Sequence, residues 1–280
     1  MKLKFLGTGA AEGVPAEFCS CEVCREVRRR GPAEYRTRSQ VLVDGVLSIE
    51  FPPDAYCHAL RFGIDYSALR YILVTHSHMD HFYAHDFVLR GYKYAPGTSE
   101  PLHIFGNEEV KRVFDECTRR EMRPEVLPNV PFTVAEPYAP LSFGPYRALP
   151  LPARHAPRER ALVYLVEGGG KRYLHLTDTC GLDEGAIGFL ADYLGGAAVD
   201  FAAFDCTFLF REAGRSARHM GLPDAAALRD EFLRRGIADG HTRCAITHFS
   251  HSSAPFSERV ARGGEEYGFL PAFDGMEVEF

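Results

Sequence analysis

Four side chains able to bind a metal fall within six consecutive positions of Thr75-His76-Ser77-His78-Met79-Asp80-His81. They follow Tyr71-Ile72-Leu73-Val74, an apolar and partly β-branched run that reads as a buried strand. Extended backbone sends His76 and His78 to one side, and a turn at Met79-Asp80 brings Asp80 and His81 to a second point nearby. Imidazoles combined with one carboxylate suit zinc, and tolerate manganese or iron. The plainer alternative is a polar loop that happens to be rich in histidine. It fits poorly with three histidines and an aspartate placed directly after a hydrophobic strand.

A second cluster, Cys19-Ser20-Cys21-Glu22-Val23-Cys24, has the spacing C-x-C-x-x-C. Its thiolates can occupy three corners of a zinc tetrahedron, with the fourth ligand supplied from elsewhere. Three reduced surface cysteines without a metal would be a reactive liability. The others, Cys57, Cys117, Cys180, Cys206 and Cys244, are scattered and read as small buried hydrophobes. This is not the dense, even spacing of a secreted disulfide framework. With no leader and no apolar run of about eighteen residues, a cytoplasmic protein is expected.

The elements that would position these groups fit one domain spanning residues 1–280, with an N-terminal zinc loop. Hydrophobic content of 46% and charged content of 25% are those of a soluble globular chain. A net charge of -6 argues against a broad nucleic-acid-binding face. Apolar strands end repeatedly in ligand types: at His76, at Asp178 after Arg172–Leu176, at Asp205 after Ala197–Phe204, and at His248 after Arg243–Ile246. His155, beyond Leu149-Pro150-Leu151, is a further candidate. Open α/β sheets gather their sites at the carboxyl ends of strands, so these groups can converge. Two metals need about six protein ligands and a shared anion, which this set supplies.

The remaining segments are punctuation around that frame. Lys2–Leu6 reads as a strand entering Gly7 to Pro15, whose glycines are not spaced for dinucleotide binding and suit a tight loop. Hairpins are expected at Asp44-Gly45 and at Gly168 to Gly170. Helices are expected over 54–61, 108–120, 184–193 and 223–235, and an aromatic-rich one over 82–94. Residues 25–38 read as a solvated basic loop, and 211–221 as a polar loop carrying His219. His58, His85, His103, His175 and His241 match no ligand pattern and read as packing or surface. His85, one helical turn beyond His81, is the best exception.

With these residues in view the chain resembles the metallo-β-lactamase superfamily, whose mark is H-x-H-x-D-H followed by a distant His, Asp and His. The resemblance implies an α/β fold, the four-layer αββα sandwich of two mixed sheets flanked by helices. It implies that His76, His78 and His155 hold one divalent metal, that Asp80, His81 and His248 hold another, and that Asp178 bridges both. A closer similarity is to the cyclic phosphodiesterases of the carbon–phosphorus lyase pathway. It rests on Gly13-Val14-Pro15, Cys19/Cys21/Cys24, Thr177-Asp178-Thr179, Asp205-Cys206, Thr247-His248-x-Ser250-His251 and Asp274-Gly275-Met276-Glu277.

That similarity implies a structural zinc on Cys19, Cys21, Cys24 and His251, two zinc or manganese ions in the active site, and His219 as proton donor. The implied chemistry is hydrolysis of a small, cyclic phosphodiester by a metal-activated hydroxide, with Asp80 and Asp178 orienting it. Arg154, Arg215 or Arg218 would bind a phosphate oxygen. The implied partners are that substrate, neither membrane nor nucleic acid, and a second copy in a homodimer. Alternatives within the superfamily are hydrolysis of a lactone, thioester or RNA end. A non-catalytic binding role like that of the pyrroloquinoline quinone biosynthesis protein B group is another, although that group typically lacks the full ligand set. Two departures stand out: Ile49-Glu50-Phe51 replaces a strand ending in aspartate-glycine, and insertions appear around 82–96 and 108–128.

Overall fold

A strand that is apolar on both faces has to be covered twice, and most strands of this chain are of that kind. The computed structural model describes residues 1–98, 100–214 and 218–280. A first sheet is built from β1 (Lys2–Gly7), β2 (Gln40–Val43), β3 (Leu47–Ile49), β4 (Tyr71–Leu73), β5 (His103–Gly106) and β6 (Phe132–Val134). A second is built from β7 (Leu141–Phe143), β8 (Tyr146–Pro152), β9 (Leu162–Gly168), β10 (Lys171–Leu176), β11 (Phe201–Asp205), β12 (Arg243–Thr247) and β13 (Leu270–Pro271). The last strand, β14 (Glu277–Glu279), returns to pair with β1, so among the described residues each sheet has seven strands in nearly sequential order. Both are mixed: β3 to β6 and β10 to β13 run parallel, and the other pairs are antiparallel.

Alternation along the strands assigns each side chain to a layer. Leu3, Phe5, Val41, Val43, Leu47 and Ile49 of the first sheet meet Leu162, Tyr164, Val166, Tyr173 and Phe201 of the second. Leu6, Leu42, Ile72 and Ile104 turn the other way, onto α2 (Ala55–Phe62) and α3 (Glu108–Thr118). On the far side Val163, Leu165, Leu174, Leu176 and Phe204 pack under α4 (Glu184–Leu194), α5 (Leu222–Arg234) and α6 (Ser257–Tyr267). The result is the αββα sandwich that the resemblance implies. The sheets are stitched where the histidine motif begins, because Tyr164 Oη donates to the Val74 carbonyl at 2.9 Å and Leu162 N to that of Thr75 at 2.8 Å.

Two local expectations change. Residues 25–38 are not all loop, since α1 (Glu22–Arg30) occupies the first part, capped by the Cys21 thiol accepting from Cys24 N. The helix expected over 82–94 is only a 3₁₀ segment, Ala84–Leu89. The backbone at 81–83 is already committed: Phe51 N donates to the His81 carbonyl and Tyr83 N to that of Phe51, both at 2.8 Å. Phe82 and Phe87 are buried in the helix-side core, while Tyr94 is exposed. His85 is exposed and stands apart from the metal-ligating groups described below. Among the described residues no helix is long and apolar enough to cross a membrane.

Candidate metal centre

The strand ends meet as their sequence positions suggest. His76, His78, His155 and Asp178 form one group whose ligand atoms lie within 4.8 Å of one another, and Asp80, His81, Asp178 and His248 form a second. Asp178 belongs to both. Its Oδ2 lies 3.2 Å from His76 Nε2, 3.0 Å from His81 Nε2 and 3.9 Å from His248 Nε2. Within the first group His76 Nε2 is 2.9 Å and His155 Nε2 is 3.3 Å from His78 Nδ1.

Two observations test whether divalent ions fit. Metal–nitrogen bonds of about 2.0–2.1 Å in a tetrahedron hold ligand atoms roughly 3.3 Å apart, close to the separations seen here. Moreover, His81 Nε2 and His248 Nε2 are buried without a hydrogen-bond partner, an arrangement that costs stability unless something else engages them. Both sites therefore fit.

The backbone is bent to make this meeting. Asp178 and His248 adopt left-handed conformations, with φ of 55° and 64°. Such strain in non-glycine residues concentrates at functional sites. Glu50, at the end of β3, has φ of 68° and is fully buried. Its Oε1 accepts from Thr75 Oγ1 at 2.6 Å and lies 3.1 Å from His81 Nδ1, so a carboxylate stands within ion-pair distance behind that imidazole. Asp205 plays the corresponding part opposite, 3.5 Å from His248 Nδ1, while Thr207 Oγ1 sits 2.9 Å from the same nitrogen.

In the sequence Glu50 stands out only as a departure, and Thr207 does not stand out at all. A signal for Glu50 is nonetheless present in the pattern of apolar strands that end in a ligand type. Glu159 likewise carries no sequence signal. It accepts from Ser77 N and Ser77 Oγ at 3.0 and 2.8 Å and from Asn107 Nδ2 at 2.9 Å, fixing the loop between His76 and His78.

His219 stands over the shared carboxylate. Its Nδ1 is 2.8 Å from Asp178 Oδ1 and 3.2 Å from Asp205 Oδ2, and its ring stacks on His248 at 5.7 Å. Burial alone would lower its pKa, but Asp178 and Asp205 outweigh that and raise it to about 10. Asp178, Asp205, His219 and His248 also make up a third possible ligand group. At His155 burial dominates and lowers the pKa to about 4, favouring the neutral ring that binds metals. Of the arginines singled out from sequence, Arg154 is fixed by its main chain, with N donating to Thr179 Oγ1 at 3.1 Å. The Arg218 carbonyl lies 3.3 Å from His155 Nδ1, and Arg215 lies outside the described residues.

A separate group unites Cys19, Cys21, Cys24 and His251. His251 Nδ1 is 3.3 Å from Cys24 Sγ and 3.7 Å from Cys21 Sγ, near the roughly 3.6 Å expected across a zinc bound by sulfur at about 2.3 Å. The Cys24 N–H beside it, followed by His251, draws the Cys21 thiol down to about 6, whereas burial pushes Cys24 up to about 11. Of the remaining histidines, His58 and His175 are buried and hydrogen-bonded, and His241 is exposed.

Known proteins share the fold. The chain is similar in structure to a diphosphatase of the PhnP family, with TM-score 0.71 and 23% identity, covering 100% of this chain and 97% of that one. It is also similar to zinc-bound PqqB from Methylobacterium extorquens, with TM-score 0.70 and 17% identity over 100% of both chains. The short form of human tRNase Z matches with TM-score 0.65 and 18% identity, over 100% of this chain and 99% of that one. At these identities the likeness speaks for the fold.

In sequence, 85 residues are 38% identical to an octanoyltransferase of Porphyromonas gingivalis, but the stretch is 29% of this chain and only 16% of that protein. The pattern of the beta-lactamase superfamily domain matches residues 39–235, which hold every residue of the first ligand group and all of the second except His248. By that match, over more than half its length, the chain belongs to the beta-lactamase superfamily domain family.

Proposed function

We propose that this protein is a metal-dependent hydrolase of small phosphodiesters, cyclic ones included. The observation that carries the reading is the pair of ligand groups joined through Asp178, with His219 aimed at that same carboxylate. In this reading His76, His78 and His155 hold one divalent ion, zinc or manganese, and Asp80, His81 and His248 hold the other. Asp178 is common to both. Such ions would supply positive charge against the phosphoryl oxygens and a nucleophilic water near neutral pH.

The chain's own groups do the rest. Glu50 and Asp205 orient His81 and His248, and Asp80 and Asp178 present carboxylate oxygens on the substrate side. His219 keeps Nδ1 toward Asp178 and Asp205, which holds its proton on at neutral pH and leaves Nε2 to protonate the departing alkoxide. Cations sharing Asp178 would weaken that support and make the ring a readier donor. Cys19, Cys21, Cys24 and His251 are proposed to hold a structural zinc that ties the N-terminal loop to the segment carrying His248. A cytoplasmic setting belongs to the same proposal, supported by eight cysteines that all remain unpaired. PhnP-family and tRNase Z neighbours, both named for phosphate chemistry, support the choice of substrate class.

The test is turnover of bis(p-nitrophenyl) phosphate and of 2′,3′- and 1,2-cyclic phosphates, with and without added zinc or manganese. Metal-dependent cleavage is expected. His219→Ala should slow the cyclic phosphates, whose alkoxide leaves poorly, by roughly 10²–10⁴-fold while sparing the nitrophenyl ester. Silence on every diester by the metal-loaded protein would refute the phosphodiesterase assignment.

A further inference from the structure

The turn after β11 sets one hydroxyl between two rings of the candidate centre. Thr207 is 5% exposed, and its Oγ1 has three partners: the His248 carbonyl at 2.9 Å, His248 Nδ1 at 2.9 Å and His219 Nδ1 at 3.2 Å. The two rings lie nearly parallel, 17° apart, so a single group beside them can serve both. A hydroxyl carries one hydrogen and two lone pairs. The carbonyl can only accept, so it takes that hydrogen. Both ring nitrogens are left to donate into the lone pairs, and each therefore carries a hydrogen of its own.

For His248 this decides the tautomer. With the hydrogen on Nδ1, the neutral ring keeps Nε2 bare. Nε2 is the atom on the side of the centre, 3.9 Å from Asp178 Oδ2 and buried without a hydrogen-bond partner. The other tautomer would place a hydrogen there and close that nitrogen to a metal. Asp205 Oδ2 stands farther from Nδ1, at 3.5 Å, so the hydroxyl is the nearer acceptor. The same hydroxyl holds the carbonyl of His248, whose φ is 64°, and so pins the strained backbone along with the ring.

For His219 the hydroxyl acts with Asp205. Oδ1 of that carboxylate accepts from Thr207 N and Met220 N, both at 3.0 Å, which turns Oδ2 toward His219 Nδ1 at 3.2 Å. Two acceptor oxygens keep the Nδ1 hydrogen in place whether the ring is charged or neutral. Nε2 is then the atom from which this ring gives up a proton.

Resting on the metal-dependent hydrolase reading, we infer that Thr207 is a positioning residue that fixes the working nitrogen of His248 and of His219 at once. Metal binding through one ring and proton donation by the other depend on a single hydroxyl that itself touches neither metal nor substrate.

The experiment compares full-length wild type with Thr207→Val, which keeps the shape and drops the hydroxyl, and Thr207→Ser, which keeps the hydroxyl. Histidine ¹⁵N spectra of the chelator-treated proteins are recorded at about pH 8, where an ordinary imidazole is neutral. The His248 signals are assigned from a His248→Gln spectrum. Wild type should show the Nδ1–H tautomer of His248, and Thr207→Val should gain the Nε2–H form. In titrations with zinc alone against a chelating dye, Thr207→Val should hold one ion of the active centre about 10–100-fold more weakly. Both changes in Thr207→Val, with both reversed in Thr207→Ser, support the inference. Either change without the other, neither change, or a serine variant that fails to restore them overturns it.

The His219 half is read from leaving groups. At saturating zinc, Thr207→Val should slow a 2′,3′-cyclic phosphate about tenfold more than bis(p-nitrophenyl) phosphate, whose leaving group needs no proton. Equal slowing of the two overturns the link to His219. If wild type cleaves no diester, the phosphodiesterase reading fails on its own, and the spectra and zinc affinities still decide what Thr207 does for His248.

Discussion

Glu50 shows how much a single side chain behind the ligands can decide. It is fully buried, and the partners on its carboxylate are Thr75 N at 3.2 Å, Thr75 Oγ1 at 2.6 Å and His81 Nδ1 at 3.1 Å. Burial disfavours charge on His81, yet Asp80 and then Glu50 reverse this and raise its pKa. A carboxylate in this place fixes the ring that would present Nε2 to an ion, and strengthens it as a ligand. Glu50→Gln keeps the shape and can still accept from Thr75, but removes the charge. Metal affinity of the active centre should fall about 10–100-fold, read by competition against a chelating dye. Affinity equal to wild type would mean that His81 is oriented by packing alone.

At the scale of elements, the proposed structural zinc would tie down the loop carrying Gly9 to Cys19. Cys24→Ala removes one ligand and the acceptor for Ala16 N at 3.3 Å, so bound metal should drop from about three ions per chain to about two. Limited proteolysis should then cut within the loop, with the active-centre ions retained. A count of about two in both proteins would exclude a structural ion there.

What the sequence makes legible at this scale follows from the physics of each element. The strands β4, β10, β11 and β12 announce themselves because an apolar run stops at a polar ligand. The helix α1 is hard to see because only Cys24 and Val27 of its nine residues are buried and the rest reads as a charged loop. The helix α6 hides behind Gly263 and Gly264, poor helix formers that fit because neighbours crowd them: an added Cβ would meet Leu222 Cδ1 at 2.5 Å and the Phe269 carbonyl oxygen at 2.7 Å. Over 82–94 the aromatic pattern suggests a helix, but the pairing of residues 81–83 with Phe51 is a tertiary fact that no local pattern carries. The ligand set is legible because its residue types are rare and specific, whereas Thr207 and Glu159 are ordinary residues whose roles appear only with their neighbours.

For the molecule as a whole, the same burial that closes two sheets and two helical layers leaves an acid-sensitive balance. His58 lies within the first sheet's helical layer, with Nδ1 2.6 Å from Gln40 Oε1 and Nε2 2.7 Å from Thr37 Oγ1. Burial lowers its pKa to about 4, against a partial counter-pull from Asp54. In the unfolded chain the ring takes up a proton as pH falls through about 6.5. Between those values the unfolded state binds more protons, so this group lowers stability on acidification by at most about 1.4 kcal/mol per pH unit.

His219 contributes with the opposite sign. Its raised pKa stabilises the fold below about 6.5, and that contribution is lost as pH rises toward about 10. The wild-type curve mixes both, together with acid release of metal from neutral ligands such as His155. The difference between wild type and His58→Gln isolates the buried ring, because both proteins keep every other titrating group. Urea unfolding of the chelator-treated proteins at pH 7 and pH 5 should show the variant losing about 2 kcal/mol less than wild type over that interval. Equal losses would mean that His58 is protonated in the folded chain. Gln40 and Thr37 would then accommodate an imidazolium, and the acid sensitivity of the fold would have to come from other groups, the buried His175 among them.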